Sequence, residues 1–199
     1  ELKDKYKIFY TIHLDENLNV SDFNPLVAKA YSETVKKTIH AAKKLDIPIL
    51  NMHMNHGVYF TLPEQKLRLF EQYKETYLES IIKFRNMCES TIGQEDIYIC
   101  IENTGGFLDY EKEAIELLLQ SDVFALTWDI GHSETGNNKD ESFIMMHNKR
   151  LKHFHIHDGY NDGYNKADHM TLGTGKIDLI ERLEIARHNR CRCVIETKT

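Results

Sequence analysis

The chain has 199 residues, 41% of them apolar, enough for one well-buried core and too few to argue for two domains, so 1–199 reads as a single domain. A formal net charge of −6, with lysines scattered along the whole length, offers no basic face. That argues against nucleic acid as a partner and leaves a small polar or phosphorylated molecule open. No apolar run is long enough for a bilayer span and the first seven residues are charged rather than signal-like, so no membrane partner and a cytoplasmic setting are expected.

Short β-rich runs fall at 7–12, 47–52, 97–101, 123–128, 153–156 and 191–195, each of normal strand length. Helical periodicity fills the gaps. Asn24-Pro25 opens the first helix as a capping residue with proline behind it, and Leu26, Val27, Ala30, Val35, Ile39 and Ala42 form its apolar stripe. The Thr61-x-x-Glu64 spacing predicts a capping box for the second, with a stripe of Leu67, Phe70, Tyr73, Tyr77, Ile81, Phe84 and Cys88. Further helices are predicted at 111–119, 141–149 and 177–188. The four cysteines, Cys88, Cys100, Cys191 and Cys193, lie within these apolar patterns without a C-x-x-C spacing and are expected to be buried free thiols.

Strand and helix alternation implies a parallel sheet wrapped by helices, which doubly wound sheets and closed barrels both satisfy. The polar residues choose between them. His13, His53, Glu102, Asp129, His155 or His157, and Glu196 end six successive strands, and only a barrel brings all C-terminal strand ends to one mouth. Parity agrees: with Glu102 pointing inward, Tyr98 and Cys100 share its face, and with Asp129 inward so do Ala125 and Thr127, leaving Ile99, Ile101, Phe124, Leu126 and Trp128 to face helices. Converging carboxylates repel one another unless a cation or protons neutralise them, so a divalent metal is expected among these strand ends.

The segments NMHMN at 51–55, IENTG at 101–105, WDIGH at 128–132, HIHD at 155–158, DHMTLGTGKID at 168–178 and VIET at 194–197 resemble, in order, the xylose isomerase-like barrel superfamily. It contains sugar phosphate isomerases and epimerases together with the zinc enzyme endonuclease IV, which cleaves DNA at abasic sites. The resemblance implies a TIM (β/α)8 barrel of which this chain lacks the first two βα units and the last helix: either a fragment of a longer chain, with roughly 60 further residues expected before Glu1, or a barrel left open where those units would be. It also implies a metal site of Glu102, Asp129, His155 and Glu196, a mainly oxygen set suited to Mn²⁺, Mg²⁺, Co²⁺ or Zn²⁺. His157 is the fallback for His155.

As implied by the epimerases, Glu102 and Glu196 exchange a proton at carbon beside a metal-bound carbonyl and hydroxyl of a sugar or sugar phosphate, and His132 orients the sugar. As implied by the endonuclease, His13 and His53 form a first-zinc pair beside Glu102, and His132 with His169 form part of a third-zinc set. That pattern departs at Asp168, because its aspartate position two residues before His169 holds Ala167. The expectation is a metal-dependent sugar isomerase or epimerase, with an endonuclease IV-like phosphodiesterase as the alternative and a non-catalytic binder as a third class. Specificity is expected from loops 55–62, 105–110, 133–140 and 159–166, where Phe107, Tyr160 and Tyr164 either line the mouth or anchor the loops. An oligomer is compatible with all of this.

Overall fold

The computed structural model describes residues 2–198. In chain order its elements are α1 (Leu2–Tyr6), β1 (Ile12–His13), α2 (Pro25–Leu45), β2 (Ile49–His53), β3 (Tyr59–Thr61), β4 (Lys66–Arg68), α3 (Leu69–Gln72), α4 (Lys74–Ile92) and β5 (Tyr98–Glu102). There follow α5 (Asp109–Leu119), β6 (Phe124–Asp129), α6 (Ile130–Thr135), α7 (Glu141–Met146), a 3-10 turn (Asn148–Arg150), β7 (Leu151–Ile156), β8 (Asp158–Asn161), β9 (Lys166–Met170), α8 (Leu179–His188) and β10 (Arg192–Ile195). Six strands make one sheet in the order β1-β2-β5-β6-β7-β10, and the pairs β1–β2, β6–β7 and β7–β10 run parallel. Adjacent strands joined in chain order through helices are the connectivity of a barrel wall. Among the described residues no helix is long and apolar enough to cross a membrane.

The chain falls into two compact units, Glu1–Ile99 with Asp109–Phe124, and Cys100–Leu108 with Ala125–Thr199. In the first, α2 begins as its capping residue requires: the Asn24 side chain accepts the Leu26 N–H at 3.1 Å and Pro25 takes the first helical position. It buries Val35, Ile39 and Ala42, whereas Leu26, Val27 and Ala30 of the expected stripe are exposed. Tyr77, Ile81, Phe84, Cys88 and Ile92 on α4 are buried, with Phe70 and Tyr77 stacked at 4.4 Å. Full burial of such side chains stabilises by about 1.5–3 kcal/mol each.

Two local expectations fail in this unit. Thr61-x-x-Glu64 is not a capping box: Thr61 pairs with Lys66 across the β3–β4 hairpin, Leu62 N–H donates to Gln65 O at 2.8 Å, and the helix waits until Leu69. Threonine with alternating neighbours serves a strand as well as a cap, and hairpin pairing decides between them. The strand expected at 7–12 is reduced to Ile12–His13, because α1 occupies the preceding residues and exits through a left-handed Lys7 (φ 51°) with Ile8 N–H bonded back to Lys3 O.

In the second unit strand parity is as read from the sequence. Thr127 and Asp129 lie in register with His153 and His155 on one face, while Trp128 and Phe154 pack together on the other at 5.6 Å between ring centroids. The Arg182 guanidinium of α8 lies 4.6 Å over the Trp128 ring and is held by both Glu141 carboxylate oxygens at 2.9 and 3.0 Å, which ties α8 to α7. The stretch 159–166, expected as a loop, is most of the antiparallel β8–β9 hairpin. All four cysteines are free, as expected; Cys88 and Cys100 are buried, Cys191 is half-buried and Cys193 is exposed.

Candidate functional site

Asp129 is the last residue of β6 and also caps α6, its Oδ1 accepting the His132 N–H at 2.7 Å. His155 stands directly beside it across the parallel β6–β7 pair. Glu196 follows β10, its own N–H bonded to Ile156 O at 3.0 Å, and Glu102 ends β5. All four belong to the second unit.

Their polar atoms converge. His155 Nδ1 lies 3.1 Å from Glu102 Oε1, 3.4 Å from Glu196 Oε1 and 3.7 Å from Asp129 Oδ2. Donor atoms bound at about 2.0–2.2 Å to one shared ion sit roughly 3.0–3.5 Å apart in octahedral or tetrahedral arrangements. The Glu102, Asp129 and His155 side chains are buried and that of Glu196 is 28% exposed, so the cluster opens to solvent on the Glu196 side. Three carboxylates around one imidazole, mostly shielded from water, fit a divalent cation on donor chemistry and on spacing.

His132 flanks the cluster, with Nδ1 3.3 Å from Asp129 Oδ2 and 3.7 Å from Glu102 Oε1. Burial alone would lower its pKa. The Glu102 hydrogen bond and the charges of Asp129, Glu102 and Asp168 outweigh burial and raise it to about 9, so at neutral pH and without metal His132 carries a proton.

The backbone of Asp129 is clamped from behind. Asn103, fully buried, accepts the Asp129 N–H at Oδ1 (2.8 Å) and donates from Nδ2 to Asp129 O (2.9 Å), Ser133 Oγ (3.1 Å) and Asp140 Oδ2 (2.7 Å). Ser133 Oγ donates to Asp140 Oδ1 and accepts from Trp128 Nε1, both at 2.8 Å. Burial pushes the Asp140 carboxyl above its ordinary value despite the Ser133 and Asn103 donors. Asn103, Ser133 and Asp140 escaped sequence reasoning. Asn103 had a signal in its position next to Glu102, and Asp140 had none, since its loop is placed only by tertiary folding.

Asp158, the last residue of the HIHD segment, does not join these four but organises the following loop, its carboxylate accepting the Gly159, Gly173 and Ile177 N–H groups. Burial disfavours its charge, yet backbone N–H groups of Gly175, Gly159, Ile177 and Gly173 hold its pKa below the ordinary carboxylate value. A methyl group at Gly175 would overlap Asp158 Oδ1 and Gly159 O, so the loop closes this tightly only with glycine there.

Of the remaining candidates, His13 and His53 come together in the first unit, their rings edge to face at 4.8 Å. His157 and His169 stack at 4.1 Å, with His132 5.4 Å from His169. Asp168 Oδ1 is 2.9 Å from His169 Nδ1, and the histidine holds the carboxyl below its ordinary value against the effect of burial. Phe107 is a loop anchor, buried against Phe143 at 5.6 Å, and Tyr164 is 97% exposed.

The family model for the xylose isomerase-like TIM barrel matches residues 1–199. A protein of Methanocaldococcus jannaschii is 29% identical over 193 residues, covering 92% of this chain; the chain spans 62% of that relative's length. A D-tagatose 3-epimerase-like protein superposes with a TM-score of 0.72 at 25% identity over 98% of this chain and 72% of its own. The D-psicose 3-epimerase of Clostridium cellulolyticum H10, solved with D-tagatose, gives 0.70 at 15% identity over 98% and 66%. The IolI protein with a bound zinc atom gives 0.68 at 14% over 98% and 71%. At those last two identities the likeness is one of fold.

Proposed function

The chain belongs to the xylose isomerase-like TIM barrel family, and from that premise we propose that it serves a divalent-metal-dependent epimerase or isomerase of a sugar or sugar phosphate. The observation that carries the reading is the convergence of the Glu102, Asp129 and Glu196 carboxylates on His155 Nδ1 within 3.1–3.7 Å. The likeness to the D-tagatose 3-epimerase-like protein supports a ketose as the substrate class.

Glu102, Asp129, His155 and Glu196 would hold the ion, and Mn²⁺, Mg²⁺, Co²⁺ and Zn²⁺ all suit the set. When bound, it would polarise the substrate carbonyl and adjacent hydroxyl. Glu102 and Glu196 act as a proton-transfer pair: one carboxylate takes the proton from the carbon next to the carbonyl, and the other delivers a proton to the opposite face, inverting that carbon. The shielding of Glu102 limits exchange of its proton with water, while Glu196 lies on the open side. His132, half-buried beside Asp129 and Glu102, donates a hydrogen bond to a sugar oxygen. Endonuclease chemistry is less well served, because Ala167 stands where its third-zinc aspartate would be.

The test is to measure metal content of protein purified without chelator and to follow ketohexoses in D₂O by NMR. One divalent ion per chain, with metal-dependent deuterium entry at the carbon beside the carbonyl, is expected. Three zinc ions with nicking of abasic DNA and no exchange in any ketose would replace this reading with the endonuclease one.

A further inference from the structure

His157 lies among His132 and His169 in a group whose nitrogens fall within 4.8 Å of one another, which by spacing alone suggests a second metal site. The hydrogen bonds say otherwise. His169 N–H donates to His157 Nδ1 at 2.7 Å, far closer than the Asp158 O at 3.4 Å from the same nitrogen, so Nδ1 presents a lone pair and the proton of the neutral ring sits on Nε2. Nε2 in turn straddles the Asp129 carboxylate, 2.9 Å from Oδ1 and 3.1 Å from Oδ2. Both nitrogens are committed within the protein, and the ring's one lone pair, on Nδ1, is taken by the His169 N–H rather than left for an ion.

We propose that His157 is a positioning residue that locks the Asp129 carboxylate to the β8–β9 hairpin. Two further observations show the arrangement is built in. A methyl group on Gly131 would overlap Cε1 and Nδ1 of His157, so the β6–α6 turn leaves room for this ring only because residue 131 is glycine. His169 itself is left-handed, with φ 53°, a conformation unfavourable for a side-chain-bearing residue and here fastened by its N–H to His157 and by ring stacking. One imidazole thus aims the carboxylate of Asp129 and presents the His169 ring beside His132. Partners that orient metal ligands in this way typically change metal affinity by about 10- to 100-fold when removed.

The inference rests on the metal reading above, and the two fail differently. The side-chain lengths separate the halves of the lock: Gln reaches where Nε2 lies and keeps the donor to Asp129, whereas Asn reaches only where Nδ1 lies and keeps the acceptor for His169. Zn²⁺ affinity and stoichiometry are measured by competition with a chromophoric chelator for the full chain, His157→Asn, His157→Gln and Gly131→Ala. His157→Asn and Gly131→Ala should weaken the site about 10- to 100-fold with stoichiometry unchanged, and His157→Gln by less than about tenfold. Loss of one of two Zn²⁺ ions in His157→Asn, or wild-type affinity in that variant, would overturn the proposal. Imidazole ¹⁵N shifts of the metal-free wild type give a readout that needs no variant to fold. They should report His157 protonated on Nε2 only, and a proton on Nδ1 would refute the lock. A wild type that binds no Zn²⁺ at all would remove the metal reading, while the tautomer still decides the hydrogen-bond arrangement.

Discussion

The first unit buries mainly apolar side chains, Val35, Ile39, Ala42, Ile81, Phe84 and Cys88 among them, whereas the second sets beside its own apolar core of Leu126, Trp128 and Phe154 a buried polar group of Glu102, Asn103, Asp129, Asp140, His155, His157 and Asp158. An apolar core is non-directional and tolerates volume-conserving exchange, so many sequences satisfy it. A buried polar network is directional: each donor needs its acceptor, and an orphan costs about 1–3 kcal/mol. The difference predicts that substitutions in the first unit's core act on stability, and that those in the second unit's polar group act on the proposed metal site and turnover before they act on folding.

The largest effect should come from the proposed proton-transfer pair. Glu102→Gln or Glu196→Gln keeps an oxygen ligand of similar size and removes the basic carboxylate, so turnover of a ketose substrate should fall by about 10²–10⁴ while metal is only partly lost. Equal loss of metal and activity would mean these residues are ligands alone.

Next comes the apolar core. Phe84→Ala, at a buried site packed on Phe124 with ring centroids 5.9 Å apart, should destabilise by about 3–5 kcal/mol in urea unfolding. Zn²⁺ affinity at low temperature should survive. If it does not, the contrast between the units collapses.

Asn103→Ala removes four hydrogen bonds around Asp129 and Asp140 and should cost about 1–3 kcal/mol for each group left unpaired. Unlike Phe84→Ala, it should also weaken metal binding, because Asp129 loses its backbone clamp. Chelator competition on the two variants side by side tests that distinction.

The smallest effect sharpens the comparison from the other side, with a polar pair in the first unit. Glu111 is buried and 2.5 Å from His56 Nδ1, while Tyr110 OH donates to His56 O at 2.9 Å. The Glu111 hydrogen bond raises the His56 pKa above 6.5, against burial, so the pair stabilises fully below pH about 6.5 and loses that contribution as pH rises through the raised value. His56 is half-exposed, so the effect is screened. Glu111→Gln should flatten this part of the stability-versus-pH curve; an unchanged slope would show that the pair does not matter to folding.

How much could be read in advance differs by element. Asn24-Pro25 set the start of α2 because capping is local chemistry. The face shared by Thr127 and Asp129 followed from period-two alternation, and the convergence of Glu102, Asp129, His155 and Glu196 followed from strand ends once the connectivity was accepted. The same local reasoning misassigned Thr61 and Glu64, whose cap-like spacing gave way to hairpin pairing, and it stretched β1 over residues 7–11, which form the turn and irregular chain between α1 and Ile12.

The sequence by itself determined the order of the six strands of the main sheet, the principal helices between them, and the set of acids and histidines at the strand ends, since periodicity, caps and parity depend on neighbours along the chain. Tertiary structure alone decided what each polar atom does. It engages both His157 nitrogens, puts the Asp140 carboxylate behind Asn103, and wraps the Gly173–Gly175 backbone around Asp158. Those outcomes depend on distances of a few tenths of an ångström between groups far apart in sequence, and hydrogen bonding, unlike burial, is decided at that scale.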